Sequence, residues 1–80
     1  MNSLEKYKKI FMDTFNIDNT KLEGLEYNKI TEWDSIGHMT LIAAIEEQFK
    51  ITMETDDIID FSSYKKGIEI LENKYNLKFD

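Results

Sequence analysis

The sequence has no cysteine, no proline and a single histidine. Without cysteine there is no disulfide framework, no thiolate nucleophile and no cysteine-ligated zinc or iron–sulfur site. No apolar run approaches the roughly 20 residues that span a bilayer, and the N-terminal segment lacks the apolar stretch of a secretion signal. These absences predict a cytoplasmic protein with no membrane insertion and no dedicated metal site.

The chain is 80 residues long, which is the size of one domain spanning 1–80. Its formal net charge of −6 argues against nucleic-acid binding, because phosphate contacts need a basic face. The acidic excess lies between Glu32 and Asp60, where eight acidic residues accompany one lysine. This segment is either a solvated face or a docking surface for basic partners. Its acids are also expected to repel one another, so that neutralising Asp56 and Asp57 would stabilise the fold.

Helical periodicity predicts an all-α fold of four helices. The first helix is expected over residues 3–16 with Asn2 or Ser3 as its cap, and the second over residues 35–50 with Asp34 as its N-cap. A short acidic third helix is expected over residues 55–60. Ser62 or Ser63 is expected to cap the fourth helix.

In that fourth helix, Gly67 lies on an apolar stripe and predicts a close approach to another helix. The stripe consists of Tyr64, Ile68, Leu71 and Tyr75. The long loop over residues 17–33 also carries apolar side chains that are unusual for a solvated connection. We therefore expect the loop to lie against the bundle through Leu22, Leu25, Tyr27, Ile30 and Trp33.

The second helix has two apolar groups on different faces. The first group is the predicted core stripe, formed by Leu41, Ile42, Ile45 and Phe49. The second group lies more than a quarter-turn away and is flanked by two carboxylates; it consists of Ile36, Met39 and Ala43, with Glu46 and Glu47 beside them. This second group either packs under the loop or the third helix, or it docks a partner. Glu46 and Glu47 are expected to serve binding rather than folding.

Ser35 opens the second helix, where a serine is usually a cap and where an anion is also favoured. Asp34, Ser35 and His38 lie within one helical turn and lack the scaffold of a catalytic triad, which argues against a hydrolase. His38 is expected to be structural and to contact Trp33.

Asp34-Ser35-Ile36 at the head of this helix resembles the Asp-Ser-Leu motif of acyl carrier proteins. The resemblance includes Leu41, Ile45, Phe49 and the Glu46-Glu47 pair at their spacings, and it extends over essentially the whole chain. It implies a four-helix bundle with a long first loop and a short third helix.

The resemblance implies that a phosphopantetheinyl transferase attaches 4′-phosphopantetheine to Ser35, with Asp34 as the adjacent residue of the attachment motif. The thiol of this arm would carry acyl groups as thioesters, and the protein itself would be a monomeric carrier and not an enzyme. The implied partners are that transferase, an acyl-loading ligase or synthase, and acyltransferases with basic docking patches. The implied docking residues are Ile36, Met39, Ala43, Glu46, Glu47, Asp56 and Asp57.

The sequence departs from the pattern of fatty acid biosynthesis carriers at Gly37, His38, Thr40 and Ala43. These departures favour a stand-alone carrier for a specialised pathway, such as modified-sugar, polyketide-like or lipid-derivative synthesis. Two alternatives remain open. One is an aminoacyl or D-alanyl carrier with the same arm, and the other is an unmodified helical adaptor.

Overall fold

Four α-helices make up the computed structural model, which describes residues 2–79. They are α1 (Ser3–Phe15), α2 (Ser35–Phe49), α3 (Thr55–Asp60) and α4 (Tyr64–Tyr75). The loop between α1 and α2 contains one 3-10 turn, Asn19–Lys21, which the sequence did not predict. No strand forms in the described part of the chain, and the all-α class is confirmed.

Local side-chain caps fix the starts of α1, α2 and α4, whereas Glu54 before α3 makes no such hydrogen bond. Asn2 caps α1 by accepting from the Glu5 backbone N–H at 2.8 Å, and the Glu5 carboxylate accepts from the Asn2 N–H in return. Ser63, rather than Ser62, caps α4 by accepting from the Lys66 N–H. Asn16 ends α1 and Lys50 ends α2, each in the left-handed backbone conformation. Both helices are therefore one residue shorter than predicted.

The long loop lies against the helices, as predicted. Leu22, Leu25 and Trp33 are buried, and Ile30 is partly buried against the core. Backbone hydrogen bonds join the loop to the start of α4: the Tyr27 N–H donates to the carbonyl of Ser62, and the Tyr64 N–H donates to the carbonyl of Leu25, both at 2.9 Å. Tyr27 is the exception, since 39% of its surface stays exposed.

Aromatic rings fill the centre of the bundle. The Trp33 indole packs on Phe11 and Phe15 of α1, with ring centroids 5.5 and 5.3 Å apart. Gly67 of α4 is buried, and a Cβ there would collide with the Phe61 ring and the Tyr7 hydroxyl. The predicted close approach at Gly67 is therefore confirmed. The stripe on α4 differs from the prediction in that Ile70 is buried and Ile68 only partly so.

Among residues 2–79, no helix combines the length and the apolar character that crossing a membrane requires.

Candidate functional site

Ser35 is the first residue of α2, and its side chain is exposed. The capping role belongs to the preceding residue: the Asp34 carboxylate accepts from the Gly37 N–H at 2.8 Å, and the Asp34 carbonyl accepts from the His38 N–H at 2.8 Å. The predicted N-cap at Asp34 is confirmed. Because Asp34 caps the helix, the Ser35 hydroxyl is not needed for that purpose and faces solvent.

Gly37 allows the chain to turn tightly into α2. A Cβ at this position would collide with the backbone carbonyl oxygen of Glu32. Any residue other than glycine would therefore push the preceding loop away from the helix. This close contact with Glu32 explains why glycine occupies position 37. The sequence alone did not reveal it.

The imidazole of His38 joins three segments next to Ser35. Its Nδ1 lies 2.9 Å from the Trp33 indole Nε1, and its Nε2 lies 2.7 Å from the backbone carbonyl oxygen of Ile58 in α3. An indole N–H can only donate, so Nδ1 is the acceptor and Nε2 carries the hydrogen that is donated to Ile58. The predicted contact between His38 and Trp33 is confirmed. The bond to α3 is a further role of His38 that was not predicted.

An apolar groove of about 370 Å³ opens directly beside Ser35. It runs between the start of α2 and α3, and its walls include Tyr27, His38, Met39, Ile58, Ile59 and Phe61. Sequence analysis singled out Tyr27, His38 and Met39 among these residues but not Ile58, Ile59 or Phe61. These lie 20 or more positions from Ser35 along the chain, and only the fold brings them to it.

The second apolar group of α2 remains uncovered. Ile36 is 77% exposed and Met39 is 54% exposed, and Ala43 and Glu47 are exposed as well. Neither the loop nor α3 buries Ile36 or Met39. The alternative that this apolar group packs under the loop or under α3 is therefore excluded for these two residues. Ile59 of α3, 71% exposed, lies across the same groove and enlarges this apolar surface.

A known relative decides the family. The acyl carrier protein of Buchnera aphidicola subsp. Schizaphis graminum is 34% identical to this chain over 76 residues, which cover 92% of this chain and 96% of the relative. This chain belongs to the acyl carrier protein family. No family model matches the chain, and no solved structure matches it. The four-helix fold of this chain is consistent with the helical bundle of acyl carrier proteins. Proteins of this family are carriers rather than enzymes.

Glu46 of this chain contributes to the stability of the fold, contrary to the prediction that it serves binding rather than folding. Its side chain is half-buried, and Oε2 accepts from the backbone N–H of Met53 at 2.8 Å. The contact holds the segment that connects α2 to α3. Its neighbour Glu47 is exposed, so the pair that looked equivalent in the sequence has two different environments.

Asp57 is buried at 1% exposure and is not an exposed docking residue, which corrects the prediction. Its Oδ1 accepts from the Lys74 ammonium at 2.7 Å, and its Oδ2 accepts from the Tyr75 hydroxyl at 2.6 Å. The same hydroxyl accepts from the Glu54 N–H at 2.9 Å. These donors of α4 hold the pKa of Asp57 below its ordinary value. The expectation that Asp57 is repelled by its neighbours is wrong, because Lys74 lies outside the segment whose charges were counted.

We predict that Asp57→Asn lowers the free energy of unfolding by about 1.5–3 kcal/mol, the usual range for a hydrogen bond to a charged group. Asp56→Asn is the matched control: Asp56 is the adjacent, exposed residue of the same helix, and its neutralisation should leave stability nearly unchanged. Urea denaturation of both variants measures the difference.

The pH dependence has a defined sign. The pKa of Asp57 is lowered in the folded state, so its contribution is fully present above its unfolded pKa of about 4 and is lost as the pH falls through the lowered value. The difference in the free energy of unfolding between the wild type and Asp57→Asn should therefore become smaller as the pH falls below about 4. Equal effects of the two substitutions at neutral pH would contradict the anchoring role.

Proposed function

We propose that this acyl carrier protein bears 4′-phosphopantetheine on Ser35 and presents acyl intermediates to partner biosynthetic enzymes. The observation that carries the proposal is the exposed Ser35 hydroxyl at the start of α2, freed from capping by the carboxylate of Asp34. When bound, the arm supplies a thiol that holds the acyl group as a thioester, in a chain that has no cysteine of its own.

The residues around Ser35 fit a covalent phosphate. The first backbone N–H groups of a helix lack partners within the helix, and the helix dipole is positive at this end, so a phosphodiester is favoured there. In the modification, the Ser35 Oγ forms a bond to the phosphorus next to the pantetheine of coenzyme A as the phosphoanhydride bond breaks. Adenosine 3′,5′-bisphosphate leaves, and the hydroxyl proton passes to a base of the transferase. Asp34, held in place by Gly37, would help bind the metal of that reaction.

The docking surface would consist of an apolar centre and an acidic rim. Ile36, Met39 and Ala43 form the centre, and Glu47 lies at its edge on the same helix. Asp56 extends the acidic rim onto α3, whereas Glu46 adds charge while it holds Met53. A phosphopantetheinyl transferase, an acyl-loading ligase or synthase, and acyltransferases with basic patches are partners of the matching chemistry.

We infer that the carrier serves a specialised pathway rather than housekeeping fatty acid synthesis. Two of the departures from the fatty-acid pattern have structural explanations, since Gly37 avoids a collision with Glu32 and His38 joins α3. The support for a different set of partners therefore comes from Thr40 and Ala43, which are exposed and leave the surface of α2 less acidic and less apolar.

The attachment is tested by incubating the protein with coenzyme A, magnesium and a broad-specificity phosphopantetheinyl transferase, followed by intact-mass and peptide analysis. We expect one phosphopantetheine on Ser35, and no gain of mass in Ser35→Ala. Because Asp34 is the cap, Ser35→Ala should change the free energy of unfolding by no more than about 0.5 kcal/mol. Modification of Ser3, Ser62 or Ser63, or none in the wild type, would contradict the proposal.

The docking surface is tested with Glu47→Lys, measured as the association rate with the same transferase. We expect association to slow by up to about tenfold at low salt, with a smaller effect at high salt, because the removed attraction is electrostatic. Glu46→Gln removes the charge next to Glu47 but keeps an oxygen that can accept from the Met53 N–H. This variant therefore measures the effect of the Glu46 charge on the association rate without loss of the hydrogen bond that stabilises the fold. Glu69→Lys on α4 makes the same charge change elsewhere and serves as the control. Equal association rates for Glu47→Lys and Glu69→Lys would indicate that the acidic face of α2 is solvated and does not bind the transferase.

A further inference from the structure

The third helix, α3, has no side-chain cap of its own. It is six residues long, and Glu54 at its N-cap position makes no side-chain cap hydrogen bond. A helix of this length is too short to be stable alone in water, because the cost of starting a helix is recovered only over more residues. Neighbouring elements must therefore hold α3 in its helical form and in its place.

A hydroxyl from α4 takes the place of the missing cap. The Tyr75 hydroxyl accepts from the backbone N–H of Glu54 at 2.9 Å and donates to Oδ2 of Asp57 at 2.6 Å. Glu54 and Asp57 are the N-cap and N3 residues of α3. A capping box joins these two positions directly, as the Glu5 carboxylate and the Asn2 N–H do in α1. In α3 the tyrosine hydroxyl is inserted between them.

The direction of the two hydrogen bonds is defined. A backbone N–H can only donate, so the Tyr75 oxygen accepts from Glu54 and its own hydrogen goes to the carboxylate of Asp57. Burial raises the pKa of Tyr75, and so does the hydrogen bond to Asp57, so the hydroxyl keeps the hydrogen that it donates. The start of α3 is thus attached to Tyr75, the last residue of α4.

The second half of α3 is held from another side. The Ile58 carbonyl accepts from His38 of α2 at 2.7 Å. Loss of the Tyr75 hydroxyl would therefore free the first turn of α3 but leave this bond in place. Ser35 would keep its position as well, because the cap of α2 is the carboxylate of Asp34.

We propose that Tyr75 is a positioning residue for partner recognition, which acts through Glu54 and Asp57 to hold the exposed side chains of α3 in place for a docked enzyme. The inference rests on the proposed function, in which Asp56 and Ile59 extend the docking surface onto α3. Both side chains are exposed, Ile59 at 71%. A tyrosine at the end of α4 thereby sets how tightly a partner binds to another helix.

The inserted cap is tested without any partner, by hydrogen exchange of the Glu54 amide. Tyr75→Phe keeps the ring and removes the hydroxyl, and Tyr64→Phe removes a hydroxyl from the first residue of the same helix as the control. In Tyr75→Phe we expect the Glu54 amide to exchange about fivefold faster or more, the effect of one net hydrogen bond. The control should not change this rate. Unchanged exchange in Tyr75→Phe would overturn the proposal.

The effect on recognition is measured as steady-state kinetics of a broad-specificity phosphopantetheinyl transferase with each variant as substrate. The intact mass of the wild-type product shows first whether Ser35 is modified, so a failure of the attachment proposal is recognised separately. In that case the dissociation constant of the complex with the transferase, measured without coenzyme A, replaces KM.

In Tyr75→Phe we expect KM for the carrier to rise about fivefold, as when one substantial interface contact is lost, with kcat unchanged. Tyr64→Phe should keep the wild-type KM. A purely structural tyrosine would lower the melting temperature of Tyr75→Phe and leave KM unchanged, because nearly all molecules stay folded. That result would overturn the proposal.

Ile59→Ala tests whether the effect passes through α3. In the wild type this substitution should raise KM, because it removes an apolar contact with the partner. In the Tyr75→Phe background the same substitution should raise KM less, since Ile59 is no longer held in place there. Equal fold-changes in the two backgrounds would show that Tyr75 does not act through α3 and would contradict the proposal.

Discussion

The position of Ser35 depends on one imidazole and its two hydrogen bonds. His38 lies one turn into α2 and accepts from Trp33, the last buried residue of the long loop, while it donates to Ile58 of α3. Apolar contacts also join the loop, α2 and α3, but such contacts are not directional. Hydrogen bonds add direction, and here they set where α3 lies relative to the serine. The groove beside Ser35 follows from that placement, since α3 supplies one of its walls.

Carboxylates in the acidic middle segment have separate physical roles. Asp34 caps α2, Glu46 holds the backbone of Met53, and Asp57 anchors α3 to Lys74 and Tyr75 of α4. Glu47 and Asp56, by contrast, are exposed. A high density of acids therefore need not mean a uniformly repulsive surface. Part of the charge stabilises the fold around Ser35, and part is exposed at the surface that we propose for docking.

The sequence predicted features that depend on neighbours along the chain. Helix starts were found because caps such as Asn2 and Asp34 lie next to the turns that they stabilise. The burial of Leu22 and Trp33 was found because large apolar side chains rarely stay in a solvated loop.

Features that depend on distant partners were missed. The burial of Asp57 rests on donors 17 and 18 residues away, and the second bond of His38 goes to a backbone carbonyl 20 residues away, which no side-chain pattern reveals. The groove was missed for the same reason. The part of the candidate site around Ser35 could thus be predicted from the sequence, whereas the groove wall supplied by α3 required the fold.

The most direct test of this account is the tautomer and hydrogen bonding of His38 in solution, measured by ¹⁵N–¹H NMR of its imidazole at neutral pH. We expect an unprotonated Nδ1, an Nε2 that carries the hydrogen, and a Trp33 indole proton that is protected from exchange with solvent. An imidazole with its hydrogen on Nδ1, together with a rapidly exchanging Trp33 indole proton, would contradict the account.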